Sequence, residues 1–129
     1  MIVVDTSIWI DFLRGRAAEL ERLLPAPAVL CYPMIVGELA CGNLPDRAFA
    51  PRRLRNLPRA RVVEDAVLLD FIEQRRLFDR GIGFVDAHLL ASTLVDDARR
   101  LWTRDRRLHA IASELGVAYD PPGAREIDR

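Results

Sequence analysis

Apolar residues fall along this chain in short β-branched runs separated by stretches of helical period. Ile2-Val3-Val4 reads as a buried strand. It stops at Asp5-Thr6-Ser7, a set suited to the N-cap of a helix carrying Ile8, Trp9, Phe12 and Leu13, closed by Gly15. A second short helix is expected from Arg16 to Leu24, ahead of Pro25 and Pro27. Val29 to Tyr32 reads as the second strand, and Pro33 fits the first turn of a helix running to Ala40. An arginine-rich helical stretch from Asp46 to Leu57 precedes Pro58, and Arg61-Val62-Val63 reads as a third strand. Asp65 is expected to cap a helix reaching about Arg80, and a loop marked by Gly81 and Gly83 leads to a helix from about Val85 to Ala98. Leu101-Trp102-Thr103 reads as strand four. Leu108, Ile111, Ala112 and Leu115 share one helix face, and Val117-Ala118-Tyr119 reads as strand five before a tail containing Pro121, Pro122 and Gly123.

Strands alternating with helices imply a parallel sheet covered on both faces. No linker or repeat interrupts residues 1–129, which suggests a single domain. In such folds ligands bind beyond the carboxyl ends of the strands. Two acids stand there: Asp5 follows the first strand, and Asp105 follows the fourth, with Thr103 two residues before it. Each is also a natural N-cap, a role that stabilises by roughly 1 kcal/mol. Two further acids lie among apolar helical neighbours. Glu38 has Met34, Ile35, Cys41 and Gly42 three or four residues away, so it is expected to project from the buried side of its helix. Asp86 has Leu89 and Leu90. A carboxylate rarely goes inside unless it is paired or binds metal. A buried arginine pair explains Glu38 alone, and a helix-dipole contact explains Asp86 alone. Four acids aimed at one end of one sheet favour a metal cage over four separate accidents.

Composition then removes competitors. The chain contains 129 residues and a formal net charge of zero, and all 19 of its Lys+Arg residues are arginine. The absence of lysine excludes a P-loop and lysine-based covalent chemistry, and weakens a receiver-domain reading. A haloacid-dehalogenase-like phosphatase needs an aspartate where Ser7 stands, and a lysine as well. Cys31 and Cys41 lack metal spacing and read as reduced thiols. No leader and no long apolar run is apparent, so a cytoplasmic protein without membrane association is expected.

The segments Met-Ile-Val-Val-Asp-Thr-Ser-Ile-Trp-Ile, Val36-Gly37-Glu38-Leu39, Phe84-Val85-Asp86-Ala87-His88-Leu89-Leu90-Ala91 and Thr103-Arg104-Asp105-Arg106-Arg107-Leu108 together resemble PIN-domain nucleases, from the first strand to Tyr119. Length and the lack of extra domains resemble the VapC-type toxins of toxin–antitoxin pairs. The resemblance implies a three-layer α/β/α fold with a five-stranded parallel sheet of order 3-2-1-4-5. It implies a metal-dependent endoribonuclease cleaving tRNA or rRNA, a Mg²⁺ or Mn²⁺ cofactor, a homodimer, and a VapB-type antitoxin. It carries the acidic positions onto Asp5, Glu38, Asp86 and Asp105, and the polar helpers onto Thr6 or Ser7 and Thr103.

All-oxygen ligation suits Mg²⁺ or Mn²⁺. Asp5 and Asp86 are expected to hold the principal metal, with Asp105 and Glu38 completing a second site or orienting the attacking water. His88 and His109 are read as non-catalytic. With four acids in one cluster, 19 arginines face 15 remaining acids. Arg104, Arg106 and Arg107 flank Asp105 and rank first for RNA contact. The first two helices carry Trp9, Ile10, Phe12, Leu13, Leu20, Leu23 and Leu24, where the family suggests a groove for the antitoxin. A non-catalytic PIN scaffold and a DNA-directed nuclease are the alternatives.

Overall fold

The computed structural model describes residues 1–24, 28–44, 46–48, 50–96 and 99–122. The apolar runs become β1 (Ile2–Val4), β2 (Val29–Leu30) and β3 (Arg100–Trp102). Around them lie α1 (Thr6–Leu13), α2 (Ala18–Leu23), α3 (Pro33–Cys41), α4 (Ala50–Arg55), α5 (Asp65–Arg75), α6 (Phe84–Leu94) and α7 (Arg106–Glu114). The sheet is parallel with order β2-β1-β3, and Val3 pairs with Leu30 on one side and Leu101 on the other. β1 is buried at every position, as a central parallel strand must be.

The five-stranded sheet expected from sequence is not present among the described residues: three strands are. The outer two reduce to single parallel bridges, Cys31 with Arg59 and Leu101 with Ala118. The first bridge lies two residues before the predicted third strand. The Cys31 N–H donates to the Pro58 carbonyl and the Ala60 N–H to the Cys31 carbonyl, so pairing is spent by Ala60, and Val62 is left in solvent. On the other edge the Leu101 N–H donates to Val117 and the Tyr119 N–H to Leu101.

Two helix boundaries also move. Glu64, not Asp65, is the N-cap of α5, and it makes no side-chain cap. The helix ends at Arg75 rather than near Arg80 because Arg76 turns left-handed at φ 53° and donates its N–H back to Glu73 and Ile72. Among the described residues of the span expected from Asp46 to Leu57, the arginine-rich stretch forms helix from Ala50 to Arg55. The expected α6 end at Ala98, the breaks at Pro25 and Pro27, and the tail from Gly123 lie outside the described residues.

Val63, Leu68, Ala87 and Ala91 form a small buried cluster between α5 and α6, and one larger core holds the sheet and helices together. Trp9, Ile8, Leu20, Ile35, Leu89, Leu90, Leu101, Leu108 and Ile111 are all buried in it. The Trp9 indole N–H donates to the Val4 carbonyl at 3.0 Å, tying α1 to the end of β1. Cys31 is buried and Cys41 exposed, both as free thiols. Burial pushes the Cys31 thiol up to about 11 against the pull of Arg59, so it is inert as a nucleophile. No described helix is long and apolar enough to cross a membrane.

The loop between α5 and α6 is clamped to α7. Arg80 makes two hydrogen bonds of 2.7 Å to the Glu114 carboxylate. Gly81 sits at φ +79°, and a Cβ there would stand 2.5 Å from the Arg107 side chain. Gly81→Ala is therefore expected to destabilise the fold by about 1 kcal/mol, chiefly through the left-handed backbone, and to displace Arg107. Urea unfolding measures the loss.

Candidate active site

The carboxyl ends of β1 and β3 bring Asp5, Thr103 and Asp105 together, the first turns of α1 and α6 add Thr6, Ser7 and Asp86, and the second half of α3 adds Glu38. Asp5 is buried. Its Oδ1 accepts the Thr6 backbone N–H at 2.7 Å, and its Oδ2 accepts the hydroxyls of Ser7 at 3.0 Å and Thr103 at 2.6 Å. The Thr103 Oγ1 also accepts the Asp105 N–H at 3.0 Å, linking the two acids. Ser7 Oγ accepts the Arg104 N–H at 3.2 Å. On the other flank the Thr6 hydroxyl donates to Glu38 Oε1 at 3.0 Å. One hydrogen-bond network thus runs from Glu38 through Thr6, Asp5 and Thr103 to Asp105.

Asp105 and Asp86 combine capping with availability. Asp105 is the N-cap of α7, and its Oδ1 accepts from the Arg107 and Leu108 N–H groups. Asp86 Oδ2 accepts the Gly83 N–H at 2.8 Å at the start of α6. Among the described residues, the second oxygen of each accepts no hydrogen bond, and neither does Glu38 Oε2. Capping and an open donor oxygen coexist in each aspartate.

Glu38 corrects the expectation that it projects from the buried side of α3. It is exposed, as are Met34 and Cys41, while Ile35 and Leu39 face the core. Its apolar neighbours line the open side of the helix, and Glu38 turns towards Thr6 instead of into the interior.

The electrostatics show the acids acting on one another. Burial pushes the Asp86 carboxyl above its usual value of 3.8. The Gly83 N–H opposes this, and the Asp5, Asp105 and Glu38 carboxylates raise it further. A raised carboxyl pKa means the folded state holds the proton more tightly than the unfolded chain. Stability of the metal-free protein is therefore lost as pH rises from the unfolded value through the raised one. In EDTA, thermal melts of the wild type and Asp86→Asn should differ little near about pH 4 and diverge towards about pH 7, the variant melting higher.

That mutual repulsion is the observation against which a cation is tested. The donors are all carboxylates, the chemistry of hard divalent ions. Among the described residues no three of them are already gathered at ligand distance. The residues fit a cation through their chemistry, their shared field and their open oxygens, with side-chain closure still to be made.

The arginines beside Asp105 diverge. Arg104 Nε pairs with Asp11 at 2.9 Å. Arg107 lies along Gly81. Arg106 is exposed, with no ion pair among the described residues. Sequence reasoning gave Asp11 no role; its signal was its place four residues after Ser7, on the α1 face that meets Arg104. His88 is buried: its Nδ1 lies 2.6 Å from the Tyr32 hydroxyl, which accepts the Val63 N–H, and its Nε2 lies 3.4 Å from Asp65. Burial lowers the His88 pKa despite Asp65. Its contacts anchor α6 rather than reach the acids. His109 pairs with Asp120 at 2.8 Å.

Residues 2–114 match the model of the PIN domain family. Ribonuclease VapC32 of Mycobacterium tuberculosis, from strains CDC 1551 / Oshkosh and ATCC 25618 / H37Rv, is 44% identical over 118 residues, covering 92% of this chain and 95% of the relative. The chain belongs to the PIN domain family, in its VapC branch.

Proposed function

We propose that this protein is a metal-dependent endoribonuclease and the toxin of a type II toxin–antitoxin pair, acting on cytoplasmic tRNA or rRNA. The observation that carries the reading is the set of four carboxylates at the carboxyl end of the sheet: Asp5, Glu38 and Asp105 joined by hydrogen bonds through Thr6 and Thr103, and Asp86 within the field of all three. The likeness to Ribonuclease VapC32 supplies the RNA substrate and the toxin role.

Asp5 and Asp86 would hold the principal Mg²⁺ or Mn²⁺, with Asp105 and Glu38 completing a second position or orienting the attacking water. The bound ion supplies Lewis-acid stabilisation of phosphate charge and makes water a competent nucleophile at neutral pH. Thr103 and Ser7 fix the Asp5 carboxylate so that it does not rotate away. Thr6 holds Glu38 over the cleft, where its open oxygen can accept a proton from water. Of Arg104, Arg106 and Arg107, the residues flanking Asp105, Arg106 is exposed and without an ion pair among the described residues, and it would bind a substrate phosphate. Attack in line with the leaving oxygen needs no covalent enzyme intermediate.

A VapB-type antitoxin would cover the α1–α2 surface, where Ile10, Phe12, Leu13, Leu23 and Leu24 are only partly buried. A homodimer finds support in Val62, Val67 and Leu69, each more than half exposed. Induced expression of the chain should arrest growth. Asp105→Asn should relieve the arrest, and so should co-expression of the neighbouring open reading frame. Arrest that persists in the Asp105 variant would contradict the reading.

A further inference from the structure

We infer that the groove between α2, the end of β3 and α7 binds a nucleotide of the RNA strand adjoining the scissile phosphate, with its base against Tyr119 and its phosphate on Arg106. This rests on the ribonuclease reading of the acidic cleft. The groove encloses about 820 Å³, lined among others by Glu19, Arg22, Trp102, Thr103, Arg106 and Tyr119. That volume lies within the range of sites for ligands of nucleotide size.

Position selects the occupant. Thr103 belongs to both places: its hydroxyl holds Asp5 Oδ2, and its residue forms part of the groove wall. A strand whose phosphate reaches the acids continues into this groove on the Thr103 side. Tyr119 is partly exposed and stands edge-on to the buried Trp102, ring centroids 5.3 Å apart at 64°. Its backbone N–H is fixed to the Leu101 carbonyl at 2.9 Å. The ring is thus a pre-positioned aromatic platform, the feature that holds single-stranded bases without reading their sequence. Burial, then the Glu19 carboxylate, raises the Tyr119 pKa, so its hydroxyl stays a neutral donor.

Charge points the same way. In and beside the groove Arg22 is paired with Glu19, Arg104 with Asp11, and His109 with Asp120. Of the cations lining the groove, Arg106, in the first turn of α7 next to Asp105, is the one without an ion pair among the described residues. A phosphate is the ligand that an exposed, unpaired guanidinium in the same groove as an aromatic platform suits.

The test uses a fluorescein-labelled single-stranded RNA of about twelve nucleotides and mixed sequence, bound to the full chain carrying Asp86→Asn and followed by anisotropy. Adding Tyr119→Ala should weaken binding roughly five- to hundredfold, and Tyr119→Phe should restore it. Adding Arg106→Ala should weaken binding roughly fivefold and flatten the log–log salt slope by about 0.7. Arg106 is a surface side chain, so its variant tests the groove even if Tyr119→Ala does not fold. Arg75→Ala, at the far end of α5, should change nothing. Wild-type affinity and slope in Arg106→Ala overturn the proposal, as does retained RNA affinity with loss of antitoxin capture, which would make the groove a protein site. RNA binding by the wild type without cleavage under either metal overturns the ribonuclease reading alone.

Discussion

Asp86→Asn is expected to abolish RNA cleavage and, at neutral pH without metal, to make the protein more stable. The two effects share one cause. The Asp86 carboxyl is raised by burial and by the carboxylates of Asp5, Asp105 and Glu38. That net shift already includes the favourable Gly83 N–H, so ionised Asp86 costs the folded state free energy. Asparagine keeps an oxygen for the Gly83 N–H and removes the charge. Melting should report a gain of about 0.5–2 kcal/mol, the scale on which functional sites trade stability for activity. Cleavage should fall on the order of 10³-fold or more, because several kcal/mol of transition-state stabilisation depends on the ion the carboxylate helps hold. Saturating Mn²⁺ should raise the wild-type melting temperature and leave the variant's nearly unmoved. A variant that loses stability together with activity would place Asp86 in the scaffold and not in the reaction.

Trp9→Ala is expected to cost about 3–5 kcal/mol, a large part of the total stability of a domain this size. Trp9 has no exposed surface, packs edge-on against Phe12 with centroids 5.8 Å apart, and donates to the Val4 carbonyl. Val4 is the residue before Asp5, so the indole also fixes the strand end from which that carboxylate projects. Trp9→Phe separates the two roles. It keeps most of the volume but strips the donor from the carbonyl, for about 1–3 kcal/mol. If Asp5 depends on that anchor, cleavage should fall further than unfolding accounts for. Urea denaturation gives the first quantity, and single-turnover cleavage by the folded fraction gives the second.

What could be read from the sequence follows from how local each signal is. β1 was legible because Ile2-Val3-Val4 is unbroken and Asp5 immediately caps α1. Asp105 was legible for the same reason. The side of α3 that carries Glu38 was not, because apolar neighbours show only that a face is apolar, not that another element covers it. Met34 and Cys41 are apolar yet exposed. The outer strands failed because each is a single bridge, set by where Pro58 and Val117 fall against a finished sheet. The end of α5 failed because Arg76, a residue with no special preference for it, adopts the left-handed turn. Arg104–Asp11 and Arg80–Glu114 join distant segments: the place of Asp11 on the Ser7 face of α1 marks a face and not a partner, and nothing near Arg80 points to Glu114.

The most direct measurement is to incubate the purified chain with total tRNA and rRNA in Mg²⁺ or Mn²⁺ and map the new 5′ ends by sequencing, with EDTA and Asp86→Asn reactions alongside. Four cooperating carboxylates predict discrete cuts that vanish in both controls. Cuts that survive in the variant, or no cuts together with no metal binding, would contradict the account.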